Sequence, residues 1–156
     1  HRLSVDDATE RLQEFYYPYH AKLTSLIKQT RDSFKKVILL DCHSMPYSAI
    51  TIAKNRDPVE IVLGDCFGRS CEPEIVMELK NLLTEVGFKV SLNKPFSGGF
   101  ITRNYANPPN NIYVIQIEIL RSLYSFEKQQ TKNSEFLAIQ NRLLGAIEQF
   151  IKRFED

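Results

Sequence analysis

Val37-Ile38-Leu39-Leu40-Asp41-Cys42-His43-Ser44-Met45-Pro46 decides the reading of this chain. A short, wholly apolar run ends abruptly in Asp-Cys-His-Ser, and Pro46 resists continuation. An unbroken Val/Ile/Leu run of this length predicts a strand buried on both faces of an α/β sheet. In such sheets ligands gather beyond the carboxyl ends of the strands, which delivers Asp41, His43 and Ser44 to the region where chemistry is usual. The plainer alternative is a strand-end Asp or Ser capping a loop beside a hydrogen-bonded structural histidine.

Three further strands are expected, at Glu60–Asp65, Phe88–Leu92 and Tyr113–Ile119. The last is rich in β-branched residues but carries Gln116 and Glu118 on one face. A carboxylate there is costly unless it is paired, directed at a metal or reached by water. Ile117 and Ile119 point to an inner strand, so Glu118 becomes the second functional candidate. An edge position with Glu118 in solvent is the competing reading.

Helices are expected on either side of these strands. The first opens at Ser4, an N-cap, and carries Leu12, Phe15, Tyr16, Tyr19, Leu23, Leu26 and Ile27 as one face for the sheet. Pro18 falls inside it and should kink or divide it. His20 reads as a partly exposed helix residue. A second helix runs from Pro73 to Val86, with Gly87 as its terminator. A third follows Ser134, read as its cap, and buries Leu137, Leu143, Leu144, Ile147, Phe150, Ile151 and Phe154. Lys54–Pro58 reads as a surface loop. Gly64 and Gly68 would allow a tight turn or close approach to a ligand. The fold class expected is α/β: a three-layer sandwich, phosphorylase/hydrolase-like, with a mostly parallel or mixed sheet flanked by helices.

The chain has 156 residues, enough for one domain with its own core. Its formal net charge of +1 gives no field pointing to nucleic acid or an anionic membrane. No apolar run reaches the roughly 20 residues a membrane helix needs. Cys42, Cys66 and Cys71 have no framework spacing, which argues for a reducing compartment. Alternation turns Cys42 away from Asp41 and His43, so it is expected to be a small buried hydrophobe. The chain starts at His1 and enters a helix almost at once, so an N-terminal truncation is expected.

Asp41 could orient a metal-bound His43, and an imidazole with a nearby carboxylate base suits a hydrolytic zinc site. One His and one Glu do not complete such a site, and no second histidine has ligand spacing. A Ser-His-Asp triad through Ser44 or Ser70 ranks lower because no G-x-S-x-G elbow is present.

Five motifs occur in order: Tyr17-Pro18-Tyr19-His20, Asp41–Pro46, Gly64–Cys71, Gly98-Gly99-Phe100-Ile101-Thr102-Arg103, and Gln116–Ile119 followed by Leu123-Tyr124. Together they resemble the N-formylglutamate amidohydrolase (N-formylglutamate deformylase) family. The resemblance implies a fold related to zinc carboxypeptidases and aspartoacylases. It implies metal-dependent, cytoplasmic hydrolysis of N-formyl-L-glutamate to formate and L-glutamate, late in one histidine-degradation route. On that resemblance His43 matches a zinc ligand and Glu118 the general base, with Asp41 and Ser44 supporting them. Arg103 is the candidate for a substrate carboxylate, by charge and placement, with Arg69 and Arg121 as alternatives. The expected partner is a small N-acyl amino acid, with no nucleic acid and no membrane; oligomerisation is left open. Residues 1–156 would be the C-terminal part of the family's catalytic domain. Family members carry an earlier segment with a first histidine and an acidic ligand, so the remaining ligands are expected outside this chain. Leu120 stands where Asn is common and Asn104 where His is common. Two alternatives remain: a hydrolase of another N-acyl amino acid, and a non-catalytic binding domain.

Overall fold

The structure is a computed structural model describing residues 3–51 and 59–154. His1 and the Lys54–Pro58 loop lie outside the described residues. The chain opens with helix α1 (Val5–Arg11), whose Ser4 hydroxyl accepts the Asp7 N–H at 3.0 Å, as expected of the cap. The helix then widens into a π turn at Leu12–Tyr16 and continues as α2 (Tyr17–Phe34). Pro18 was expected to kink or divide the helix. It has no N–H to donate to Glu14, and its ring crowds that carbonyl. The i→i+5 turn immediately upstream, closed by Tyr17 N–H on Leu12 O, accommodates the proline without a break.

Strand β1 (Val37–Met45) follows, then a short helix α3 (Ser48–Thr51) and strand β2 (Ile61–Gly64). Helix α4 (Pro73–Glu85) ends at Gly87, whose φ of +89° explains why glycine stands there. Strand β3 (Val90–Leu92), helix α5 (Phe100–Tyr105) and strand β4 (Ile112–Leu120) come next. A small hairpin of β5 (Ser125–Phe126) and β6 (Thr131–Lys132) leads to α6 (Phe136–Lys152). Ser134 does not cap α6: Glu135 stands at the N-cap with no side-chain cap, and the Asn133 side-chain oxygen accepts the Glu135 N–H at 3.0 Å in the turn that leads in.

The sheet order is β1-β4-β2-β3. β4 pairs in parallel with β1 and antiparallel with β2, and β2 pairs in parallel with β3, so the sheet is mixed. β4 is central, which settles Glu118 on an inner strand. β1 is an edge strand among the described residues, so the expectation of burial on both faces fails: only Val37 and Met45 are buried along it.

Alternation assigns the two faces of the sheet. Tyr113, Ile115 and Ile117 of β4 join Ile75, Leu79 and Leu83 of α4 and Ile139, Ala146 and Phe150 of α6 in the main core. Gln116 and Glu118 point to the other face, which α5 covers; α2 packs against β1 and is tied to α5 through His20 and Tyr105. Three layers result, with helices on both sides of the sheet. The first helix covers less than its apolar pattern implied. Ile27 is buried, whereas Phe15, Tyr16, Tyr17, Tyr19 and Leu26 are exposed. In α6, likewise, Leu137, Leu144 and Ile151 are exposed rather than buried. No described helix is long and apolar enough to cross a membrane.

Candidate active site

The parallel register of β1 and β4 brings the two strands named by the sequence together. Asp41 pairs with Gln116 and His43 with Glu118, all four on the face away from α4 and α6. This register follows from the apolar runs. Val37–Leu40 aligns with Ile112–Ile115, so the first polar residue after each run falls at the same height.

Glu118 is 8 % exposed, beside Val62 of β2 and beneath the small cluster of Met45, Ile50, Val62 and Leu120. Burial raises its carboxyl above the usual carboxylate range. The His43 imidazole, the Gln116 hydrogen bond and Arg121 pull it back, and Asp41 adds to the rise. Gln116 Nε2 donates to Glu118 Oε1 at 2.9 Å, and Gly99 N–H donates to Gln116 Oε1 at 2.5 Å. His43 is half exposed. Its Nε2 lies 3.0 Å from Asp41 Oδ2, which is sealed from solvent and has no partner of hydrogen-bond geometry among the described residues. A carboxylate so placed steers the ring of His43.

The glycine positions explain how α5 comes so near the sheet. A Cβ on Gly64 would stand 2.7 Å from Gly98 N and from Ser97 C, so only glycine admits that backbone. Gly64 therefore serves an approach of the chain to itself, where a ligand was the alternative expected. Cys66 N–H donates to Ser97 O at 2.6 Å and locks the two loops. Gly98 has φ +125°, and a side chain there would strike Cys66 Sγ. Asp65 is buried and structural: it accepts the Gly68 N–H at 3.1 Å and the Asn93 amide at 2.6 Å.

The remaining predicted residues lie around this centre. Ser44 falls on the other face of β1, where Arg121 Nε donates to its hydroxyl at 3.1 Å. Arg69 is exposed and donates to Cys66 O at 3.0 Å, which braces the Cys66–Gly68 turn. Arg103 sits one helical turn beyond Gly99, exposed and paired with no described residue. Ser70 is buried with its hydroxyl donated to Val114 O at 2.8 Å, which removes it as a nucleophile. Cys42 is exposed, not buried, because β1 is an edge. Sequence reasoning missed the bridge from Gly99 through Gln116 to Glu118. Its signal was present in the Gln-x-Glu alternation and the Gly-Gly pair, which lie 17 residues apart.

Among the described residues no three His, Cys, Asp or Glu side chains converge as metal ligands. His43 offers one imidazole, and the described residues do not by themselves fit a complete zinc site.

Comparisons with known proteins give this geometry a context. The chain is 30 % identical over 136 residues to an N-formylglutamate deformylase of Pseudomonas putida, covering 86 % of this chain and 51 % of that protein. A second N-formylglutamate deformylase, from Pseudomonas aeruginosa, is 28 % identical over 126 residues, covering 80 % of this chain and 47 % of its own length. The chain thus spans about half the length of the curated relatives it matches. The crystal structure of N-formylglutamate amidohydrolase from Ralstonia eutropha superimposes with a TM-score of 0.89 at 32 % identity, covering 97 % of this chain and 56 % of that one. A gene product from Agrobacterium tumefaciens shares the fold, with a TM-score of 0.66 at 19 % identity, over 99 % of this chain and 57 % of that one. The family model described as N-formylglutamate amidohydrolase matches residues 1–125, the span that holds every residue of the Asp41–His43–Gln116–Glu118 cluster and the Gly98-Gly99 turn, and the chain belongs to that family.

Proposed function

We propose that this family member hydrolyses the formyl amide of N-formyl-L-glutamate to formate and L-glutamate, with Glu118 as general base. One observation carries the reading. A buried carboxylate of raised proton affinity sits on the central strand, in register with a half-exposed histidine and anchored by an amide. The names of both curated relatives and of the Ralstonia structure support the substrate. Glu118 would accept the proton of the attacking water and return it to the departing amine. A base of raised pKa suits both transfers, because its proton affinity lies nearer the working pH. Asp41 would hold the His43 ring, and Ser44 would hold Arg121 behind the site. Arg103, exposed and unpaired among the described residues, would grip a substrate carboxylate through a bidentate contact, with Arg69 as the alternative. His43 would hold zinc as one ligand, and further ligands would have to come from outside the described residues. We place this activity in the cytoplasm, late in one histidine-degradation route, as the family resemblance implies.

In the complete protein, Glu118→Gln is expected to lower turnover of N-formyl-L-glutamate by roughly 10²–10⁴-fold with metal content unchanged. Equal turnover would overturn the assignment. A panel of N-acetyl and N-succinyl amino acids tests the substrate. A binding role without catalysis is the second reading, favoured by the absence of a converging ligand trio among the described residues. Zinc content measured on the 156-residue chain and on the complete protein separates the two. Zinc in the complete protein supports the enzyme, and zinc in neither supports the binding domain.

A further inference from the structure

We propose that Gln116 is a positioning residue for Glu118, fixing which carboxylate oxygen is free to receive a proton and tying that choice to the Gly98-Gly99 turn. The proposal rests on the reading of Glu118 as the base.

Gln116 is 4 % exposed, so its amide must find partners inside the protein. It has an accepting end and a donating end, and both are engaged. Gly99 N–H donates to Oε1 at 2.5 Å, while Nε2 donates to Glu118 Oε1 at 2.9 Å. The orientation cannot invert. A flipped amide would set its NH₂ against the Gly99 N–H, two donors together, and its oxygen against a carboxylate, two acceptors together. The backbone N–H of Gly99 has only one polarity, so it dictates which end faces Glu118.

That choice shapes the base. A Glu side chain has three torsions, and an unanchored one presents either oxygen in several directions. With Oε1 held by Gln116, Oε2 is left to take a proton. The second residue of the Gly98-Gly99 pair contributes by what it lacks. A Cβ at Gly99 would stand 3.1 Å from Gln116 Oε1 and push the two apart. Gln suits this place better than Glu. Two adjacent carboxylates in a buried site would repel, whereas the amide donates without adding charge. Because the Gly99 turn opens α5, which carries Arg103, the same bond couples the base to the candidate substrate-binding helix.

The test compares Gln116→Met, which keeps most of the volume and removes both hydrogen bonds, in two backgrounds of the complete protein. With Glu118 present, kcat for N-formyl-L-glutamate should fall about tenfold, the scale of one lost hydrogen bond to a charged group, with KM little changed. With Glu118→Gln, the same substitution should add no further loss, because the group it positions is already gone. An equal loss in both backgrounds, or no loss in either, overturns the proposal. A readout free of activity stands beside it: the Gln116 side-chain NH₂ resonances should move upfield in Glu118→Gln, while the Gly99 amide keeps its position. Unmoved Gln116 signals also overturn it, and this measurement serves if Gln116→Met does not fold. If Glu118→Gln retains full turnover, the base reading has failed. The NMR shift then still reports whether Gln116 holds residue 118, so the two failures are distinguishable.

Discussion

Glu118 pulls against the fold at one point. Its carboxyl is raised by burial, so the folded state binds its proton more tightly than the unfolded chain does. The stability this contributes is full below the unfolded value, about 4.3, and is lost as pH rises through the higher folded value. Once that stability is lost, the metal-free protein bears the cost of burying this carboxylate. Glu118→Gln should remove that cost and keep an oxygen for the Gln116 amide. The variant is expected to melt higher than wild type at pH 7, with the gap closing below about pH 4, where both side chains are neutral. Thermal unfolding at the two pH values checks this, and an equal gap at both would refute it. Glu118 was legible in the sequence because Ile117 and Ile119 enclose it. Gln116 was visible on the same face but its role was not, because its partner is a backbone N–H on another element. Cys42 was misread for a different reason: exposure depends on whether a strand is central or at an edge, which the residues beside it do not encode.

At the scale of elements, the site depends on how closely the Ser97–Gly98 backbone passes β2. Gly64 is the gate: a methyl group there would meet two backbone atoms at 2.7 Å, and backbone cannot rotate aside. The Cys66 N–H to Ser97 O bond restricts any retreat. Gly64→Ala is expected to destabilise the protein by on the order of 1–3 kcal/mol, as overpacking does. It should also lower activity, by lifting Gly99 from Gln116. Urea unfolding with an unchanged slope measures the first effect. A variant as stable as wild type would show that the two loops can separate freely. Helix α5 itself was not legible. Six residues, two of them β-branched and two aromatic, give no helical period and weak propensity. The four main strands and the long helices were legible because their apolar runs and stripes are long. The π turn was foreshadowed only as a fault at Pro18, since a proline shows where the register must change but not how the helix absorbs it.

For the whole molecule, the sequence contained the strands but not their order. β4 lies between β1 and β2, and that insertion depends on pairings between residues 75 apart on the β1 side and 52 to 58 apart on the β2 side. The consequence is that β1 ends the sheet on one side among the described residues. Val37, Ile38 and Leu39 of β1 line a groove with Leu26 and Phe34 of α2 and Ile151 of α6, which are 45 %, 76 % and 49 % exposed. Natural sheet edges are usually blunted by lysine, proline or a bulge, and Val37–Leu40 has none of these. Unpaired backbone groups beside exposed apolar side chains favour addition of another strand. The 156-residue chain alone is therefore expected to associate, its mean mass rising with concentration in sedimentation velocity. Leu39→Lys with Phe34→Lys should suppress this by placing charge at the edge and on the groove beside it, while near-ultraviolet circular dichroism stays that of the folded chain. A wild-type chain that remains monomeric at high micromolar concentration would mean that the β1 edge is protected by something other than its own residues.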